Sequence, residues 1–200
     1  LFVPTTYIQL LEKTKAIAAS LRKLGVRRGD RIGLLSDNRP EWLALDLGIL
    51  SLGAADVPRG RDAMEYEIEY ILSFSSVSVC VVENLELYRK LDSVRNRLTE
   101  LKYVILIDEK GIEMKDGDIT YSSLLSEGMK LLEEEGVREE IEREVMLGDE
   151  NDTATIIFTS GTTGLPKGVM TTHGNFLYIC RVGHNLYPFK KGEKWLSVLP

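Results

Sequence analysis

Along the first half of the chain, apolar residues alternate between a helical stripe and short unbroken runs. Thr5 or Thr6 can cap a helix to about Leu24, with Ile8, Leu11, Ile17, Leu21 and Leu24 as its stripe and Gly25 as its stop. The turn Val26-Arg27-Arg28-Gly29-Asp30 leads into a strand from Arg31 to Ser36, in which Ile32 to Leu35 offer no polar face. Asp37 and Asn38 can cap a second helix that has Pro40 in its first turn and runs through Trp42, Leu45 and Ile49 to Gly53. A buried strand from Ala54 to Val57 follows, then a helix from Glu65 to Phe74 and a β-branched strand from Val77 to Val82. A helix from Leu85 to Leu98 and a strand from Tyr103 to Ile107 complete this half.

Strands apolar on both faces, alternating with amphipathic helices, predict an α/β fold of mostly parallel sheet with flanking helices. Ligands of open sheets of this kind usually bind at the carboxyl ends of the strands. The pattern changes after Ile107. Asp108 to Asp118 is charged and glycine-rich, a turn or excursion, and Tyr121 to Glu135 reads as helix. Glu133 to Glu144 holds seven Glu in twelve residues, read as a solvated helix face or a linker. Ala154 to Phe158 and Val169 to Thr172 then read as strands, with a helix beginning after Thr172 or His173. The chain thus divides into a first sheet unit over 1–107, an excursion over 108–151, and a strand pair with its helix over 152–200. The last pair is expected in a second, incomplete sheet.

Composition adds limits. A formal charge of −6 argues against a dedicated nucleic-acid surface, which needs clustered Lys and Arg. Cys80 and Cys180 both lie in apolar surroundings and read as buried thiols of a reducing, cytoplasmic compartment. No apolar run is long enough to span a membrane, which leaves room for peripheral membrane contact through other residues. Leu1 lacks a preceding Met, and the chain stops inside the apolar run from Trp195 to Pro200, so a piece of a longer protein is expected. Such a piece should expose apolar surface around Val169 to Leu199 and self-associate.

The segment Thr159-Ser160-Gly161-Thr162-Thr163-Gly164-Leu165-Pro166-Lys167-Gly168 carries the candidate chemistry. Its glycines allow backbone amides to converge on an anion, and Thr159, Ser160, Thr162 and Thr163 supply hydroxyl donors. Pro166 stiffens the return and Lys167 adds a mobile positive charge. The spacing excludes a Walker A loop, because Pro166-Lys167-Gly168 stand where Gly-Lys-Ser/Thr would be needed. No Gly-x-Gly-x-x-Gly opens a helix here, which excludes a dinucleotide loop. A dense set of donors bridging two strands suits a polyphosphate; a plain surface turn is the alternative.

Other residues read as structural. Arg59, Arg61 and Asp62 follow a strand end and are expected in salt bridges, with a role at a site edge as the alternative. His173 is expected to cap or pack at a helix start, and His184 lacks the neighbours of a zinc site. Trp42 and Trp195 read as packing residues. Tyr178, Tyr187 and Phe189 are read first as core, with the border of a hydrophobic substrate region as the alternative.

The ten residues Thr159 to Gly168 resemble the signature phosphate-binding motif of the adenylate-forming superfamily at every position. The flanking residues Asp152 to Phe158 and Val169 to Phe176 agree, as do Leu24 to Ile32 and Asn38 to Trp42. The run Ala55-Asp56-Val57-Pro58-Arg59-Gly60-Arg61-Asp62 is most similar to the bacterial long-chain fatty-acid–CoA ligases. The resemblance implies part of a large N-terminal domain whose parent activates a fatty acid with ATP through an acyl-adenylate and passes it to coenzyme A. Acyl-carrier-protein ligases, peptide-synthetase adenylation domains and non-catalytic nucleotide-binding modules are the alternatives. It implies that Thr159, Ser160, Gly161, Thr162, Thr163, Gly164, Lys167 and Gly168 hold the β and γ phosphates, with Thr159 also assisting Mg²⁺. It places the principal catalytic lysine, the magnesium-binding glutamate and most of the acyl pocket beyond Pro200, so this segment alone is not expected to be active.

Overall fold

The computed structural model describes residues 4–159, 166–186, 188 and 190–194. Helices α1 (Tyr7–Lys23), α2 (Pro40–Leu50), α3 (Glu65–Phe74) and α4 (Leu85–Val94) alternate with strands β1 (Arg31–Leu35), β2 (Ala55–Arg59), β3 (Val79–Val82) and β4 (Tyr103–Leu106). Thr6 caps α1 as expected, in a reciprocal capping box with Gln9, and Pro40 opens α2, but Arg39 rather than Asp37 or Asn38 precedes that helix and makes no side-chain cap; Asn84 caps α4 through the Leu87 amide. After Ile107 the chain adds β5 (Asp118–Thr120), α5 (Tyr121–Leu131) and α6 (Val137–Met146). The hairpin strands β6 (Thr153–Thr159) and β7 (Lys167–Thr172) then lead into α7 (His173–Leu186).

The strands form one seven-stranded sheet in the order β5-β4-β3-β1-β2-β6-β7. Every neighbour pair is parallel except β6–β7. The expected α/β architecture is therefore present, with one correction: the strands flanking the glycine-rich loop join the first sheet and do not begin a second. The join is short, made in register at Asp56↔Thr155. Its brevity follows from Pro58. The Ala55 amide donates to Asp30 and Arg59 accepts from the Ser36 amide, so alternate residues of β2 face β1 and leave Asp56 and Pro58 facing β6. Proline has no N–H to give, so the ladder to β6 cannot continue past Asp56, and the strands part above it.

One core cluster lies on the α1, α2 and α5 side of the sheet, around Ile17, Leu21, Ile32, Leu34 and Ile105. The other lies on the α3 and α4 side, around Ile68, Leu72, Cys80, Leu87 and Leu106. Expectations about other single residues also fail. Ile8 and Leu11 are exposed, because no described element covers the first turns of α1. Cys180 is exposed on α7, whereas Cys80 is buried and its thiol is pushed upward by burial.

The acidic run is also more than a solvated face. Gly136, at φ 82°, turns the chain into α6, which buries Ile141 and sets its carboxylates against α1. Lys15 pairs with Glu142 at 2.6 Å, Arg22 with Glu140 at 3.1 Å, and Arg138 with Glu12 at 2.9 Å. Arg28 closes the set, donating to the Glu144 carbonyl and to Asp152 Oδ2, each at 2.7 Å. Since Asp152 immediately precedes β6, this contact anchors the base of the hairpin.

At the far edge, apolar side chains face outward. Val169 and Met170 on β7, and Phe176, Tyr178, Ile179 and Leu186 on α7, are all exposed, Met170 at 68% and Ile179 at 64%. Tyr178 is thus not core, while Trp42 packs partly buried against the first cluster. Tyr187, Phe189 and Trp195 lie outside the described residues. Among the described residues no helix is long and apolar enough to cross a membrane. An apolar edge of this extent favours association. Sedimentation of the 200-residue chain is expected to show concentration-dependent dimers or larger species. Polar replacement of Met170, Ile179 and Leu186 together should shift the distribution toward monomer, and a monomeric wild-type chain at high concentration would contradict this.

Candidate functional site

The glycine-rich segment begins where β6 ends. β6 and β7 pair antiparallel, with Thr159↔Lys167 and Phe158↔Gly168 as the last register pairs before the connection. A loop bridging two strands is what the sequence led us to expect. Ser160, Gly161, Thr162, Thr163 and Gly164 lie outside the described residues; Thr159, Lys167 and Gly168 are described, and all three are exposed. Thr159 and Lys167 thus face each other across the mouth of the hairpin, and Lys167 has no ion-pair partner among the described residues. The end of β6 is held by aromatic packing: the Phe158 ring meets Tyr70 and Phe74 edge-on at 6.2 and 6.1 Å. A Cβ at Gly168 would lie 3.2 Å from Phe158 Cζ, so this glycine lets the ring lie close across the strand.

The other end of the hairpin is fixed through α7. The His173 amide donates to the Asp152 carbonyl at 3.1 Å and the Gly174 amide to the Glu150 carbonyl at 2.8 Å. Asn175 Oδ1 accepts from the Thr172 amide at 2.9 Å, and Thr172 Oγ1 accepts from the Asn175 amide at 3.3 Å. His173 therefore serves at the helix start, as expected.

Where β2 and β6 part, a cleft of about 1010 Å³ opens between α2 and α7. Trp42, Phe158 and Phe176 contribute aromatic walls, while Asp46, Asp56 and Thr155 contribute polar groups. Arg59 lies at its edge but is engaged, contacting Asp62 and Glu67 each at 3.2 Å, and Arg61 pairs with Asp37 at 3.0 Å. The expected salt bridges of this loop are thus present. At the sheet's switch point between β1 and β3 the protein supplies its own anion. Glu83 Oε2 accepts from the Asp37 amide at 2.7 Å and from Ser36 Oγ at 3.3 Å.

Asp46 and Asp56 are the two most perturbed carboxyls of the cleft. Burial raises Asp46 to about 7, with the Asp56 charge adding to it. Burial raises Asp56 to about 6, partly offset by the Thr155 hydroxyl beside it and by its own backbone amide. Sequence reasoning did not single out this pair. A signal was present: Asp46 is the one charge inside the apolar stretch from Trp42 to Leu50, and Asp56 interrupts an apolar strand.

The sequence pattern of the AMP-binding enzyme family matches residues 3–200. The chain belongs to the AMP-binding enzyme family. It is 34% identical over 204 residues to a chloroplastic long-chain-fatty-acid–[acyl-carrier-protein] ligase of Arabidopsis thaliana, covering 98% of this chain and 28% of that protein. It is 31% identical to long chain acyl-CoA synthetase 8 of the same plant, covering 98% of this chain and 27% of that one. The structure is similar to that of a long-chain-fatty-acid–CoA ligase from Archaeoglobus fulgidus, with a TM-score of 0.66 and 25% identity, covering 92% of this chain and 34% of that one. The chain therefore spans about a third or less of the length of these relatives.

Thr159 offers a hydroxyl and Lys167 a mobile ammonium at the mouth of the connection, a donor set that fits a polyphosphate and an accompanying hard cation. Among the described residues no group of three or more His, Cys, Asp or Glu is arranged to hold a metal.

The raised carboxyls carry a pH dependence. In the fold they retain protons that the unfolded chain, at about 3.8, has already lost. The folded state then binds more protons, so stability falls as pH rises from about 4 toward about 7, then levels off. Asp46→Asn and Asp56→Asn are each expected to flatten that decline. Urea unfolding followed across the interval checks it, and an unchanged slope in both variants would refute the assignment.

Proposed function

We propose that the parent protein activates a fatty acid with ATP, forming an acyl-adenylate and pyrophosphate, and transfers the acyl group to coenzyme A. The observation that supports this reading is the Thr159–Gly168 segment between the paired strands β6 and β7, with Lys167 exposed and without an ion-pair partner among the described residues. The carboxylate of the substrate attacks the α-phosphorus, and charge builds on the departing pyrophosphate. Thr159, Ser160, Gly161, Thr162, Thr163, Gly164, Lys167 and Gly168 hold that group through backbone amides, hydroxyls and the ammonium, stabilising the charge without reorganisation. Thr159 would help to hold the Mg²⁺ that accompanies the nucleotide, and that ion would neutralise phosphate charge. We place the protein in the cytoplasm, where Cys80 and the exposed Cys180 would remain reduced.

A second reading concerns the acceptor. The 34% identity to an acyl-carrier-protein ligase supports a carrier protein in place of coenzyme A. ATP–pyrophosphate exchange by the full-length protein across a panel of carboxylic acids tests the first step. Exchange restricted to long-chain fatty acids supports the proposal, and exchange with amino or aryl acids alone overturns it. Thioester formation with coenzyme A or with acyl-carrier protein then separates the two acceptors.

A further inference from the structure

We propose that Arg28 is a positioning residue for the ATP-dependent step, acting through Asp152 to set how the β6–β7 hairpin leaves the sheet and hence where Thr159 and Lys167 stand. The inference rests on the reaction proposed above. β6 meets the parallel strands at the register pair Asp56↔Thr155 and parts from β2 beyond it, so the ladder gives the hairpin a point of attachment and little angular restraint. A second hold must then fix its angle. Arg28, in the turn between α1 and β1, supplies it at the base: Nη1 donates to Asp152 Oδ2 and Nη2 to the Glu144 carbonyl, each at 2.7 Å. A planar guanidinium making two charge-assisted bonds fixes direction as well as distance. The packing of Phe158 on Tyr70 and Phe74 near the other end is apolar and non-directional, so rings packed this way can slide.

The surroundings make room for this side chain and pass its hold onward. The Arg28 guanidinium lies against Gly53, at φ 65°, where any Cβ would collide with it, and the Gly29 amide donates to the Gly53 carbonyl at 2.9 Å. Asp152 Oδ2 also accepts from the Asp149 amide at 3.1 Å, and the Asp152 carbonyl accepts from the His173 amide at 3.1 Å. What moves Asp152 therefore moves β6 and the start of α7 together. Along the strand, Thr155 lies roughly 10 Å from Asp152 and roughly 13 Å from Thr159. With the pivot at Thr155, a shift at the base reappears at the mouth at about the same size, and about 1 Å of misplacement is enough to cost rate at a reacting group. On the proposed reaction, thioester formation follows the departure of pyrophosphate and does not need Thr159 and Lys167 aimed at it.

The test compares two half-reactions of the full-length protein. Arg28→Ala is expected to lower kcat/KM for ATP in ATP–pyrophosphate exchange by roughly two- to thirtyfold, the range of residues that act on a site without touching its ligand. Thioester formation from supplied acyl-adenylate should be unchanged. The ratio of the two rates does not depend on how much of the sample is folded, so lost stability alone cannot move it. Arg28→Lys should restore part of the ratio, since it keeps the charge but not the fork. Asp152→Asn should shift the ratio as Arg28→Ala does, and the double variant should be no worse than either, because all three remove one contact. Arg22→Ala, which frees Glu140 and Glu144 on α6 without touching Asp152, should leave the ratio as it is. Equal losses in both half-reactions, or a wild-type ratio in Arg28→Ala, would overturn the proposal. A wild-type protein that shows no exchange with any carboxylic acid would instead overturn the reaction itself. Amide hydrogen exchange then decides the hold of Arg28: faster exchange confined to β6 and β7 in Arg28→Ala supports it, and unchanged protection there overturns it.

Discussion

Lys167→Ala in the full-length protein is expected to slow ATP–pyrophosphate exchange by roughly tenfold to 10²-fold, with a smaller loss in acyl transfer from supplied acyl-adenylate to the thiol. Lys167 closes the last register pair of the hairpin, opposite Thr159, exposed and with no ion-paired carboxylate among the described residues. On the reaction proposed above, an ammonium so placed would meet the β and γ phosphates, and these would have left before the thiol attacks. Removing one donor aimed at developing charge costs about 10²-fold where nothing substitutes for it, and less where neighbouring amides and hydroxyls compensate. A flexible point charge belongs at the lower end of that range. Lys167→Arg should restore only part of the rate, because a planar fork cannot reproduce an ammonium's approach. Thr163→Val should show the same bias toward the first step. Measuring the two half-reactions separately decides the matter: equal losses in both, with the fold intact, would mean that the segment does not hold pyrophosphate.

Gly128→Ala is expected to destabilise the protein by about 3 kcal/mol, at the upper end of overpacking changes. Gly128 lies where α5 crosses α1, and a Cβ there would collide with the carbonyl oxygen, carbonyl carbon and Cα of Ala16. These are backbone atoms and cannot rotate aside, so α5 must lift. Lifting α5 withdraws Leu124 from the core and lengthens the buried bond from Ser20 Oγ to the Leu124 carbonyl, now 2.6 Å. Alanine's better helix propensity returns only about 1 kcal/mol. Gly183→Ala is the control: a Cβ at this α7 position meets nothing within 4 Å, so it should be neutral or stabilising by up to about 1 kcal/mol. Chemical unfolding of both variants checks the pair, and equal midpoints would show that the crossing tolerates a methyl group.

Most elements of the first half were legible because their signals are local. Continuous apolar runs such as Val79–Val82, stops such as Gly25 and caps such as Thr6 act over a few residues, so neighbouring sequence suffices to read them. The two strands that flank the glycine-rich segment were legible for the same reason. The contacts that only the tertiary structure decided join residues far apart in the chain. Asp56 meets Thr155 across a sheet whose strand order periodicity does not encode, which brought the hairpin into the first sheet and made Asp46, Asp56 and Thr155 neighbours. The acidic run is largely solvated, as read, but a row of Glu does not show that the Lys15, Arg22 and Arg28 side chains lie opposite part of it. Ile8, Leu11 and Cys180 looked buried because an apolar stripe records that a face seeks cover, not whether a neighbour supplies it.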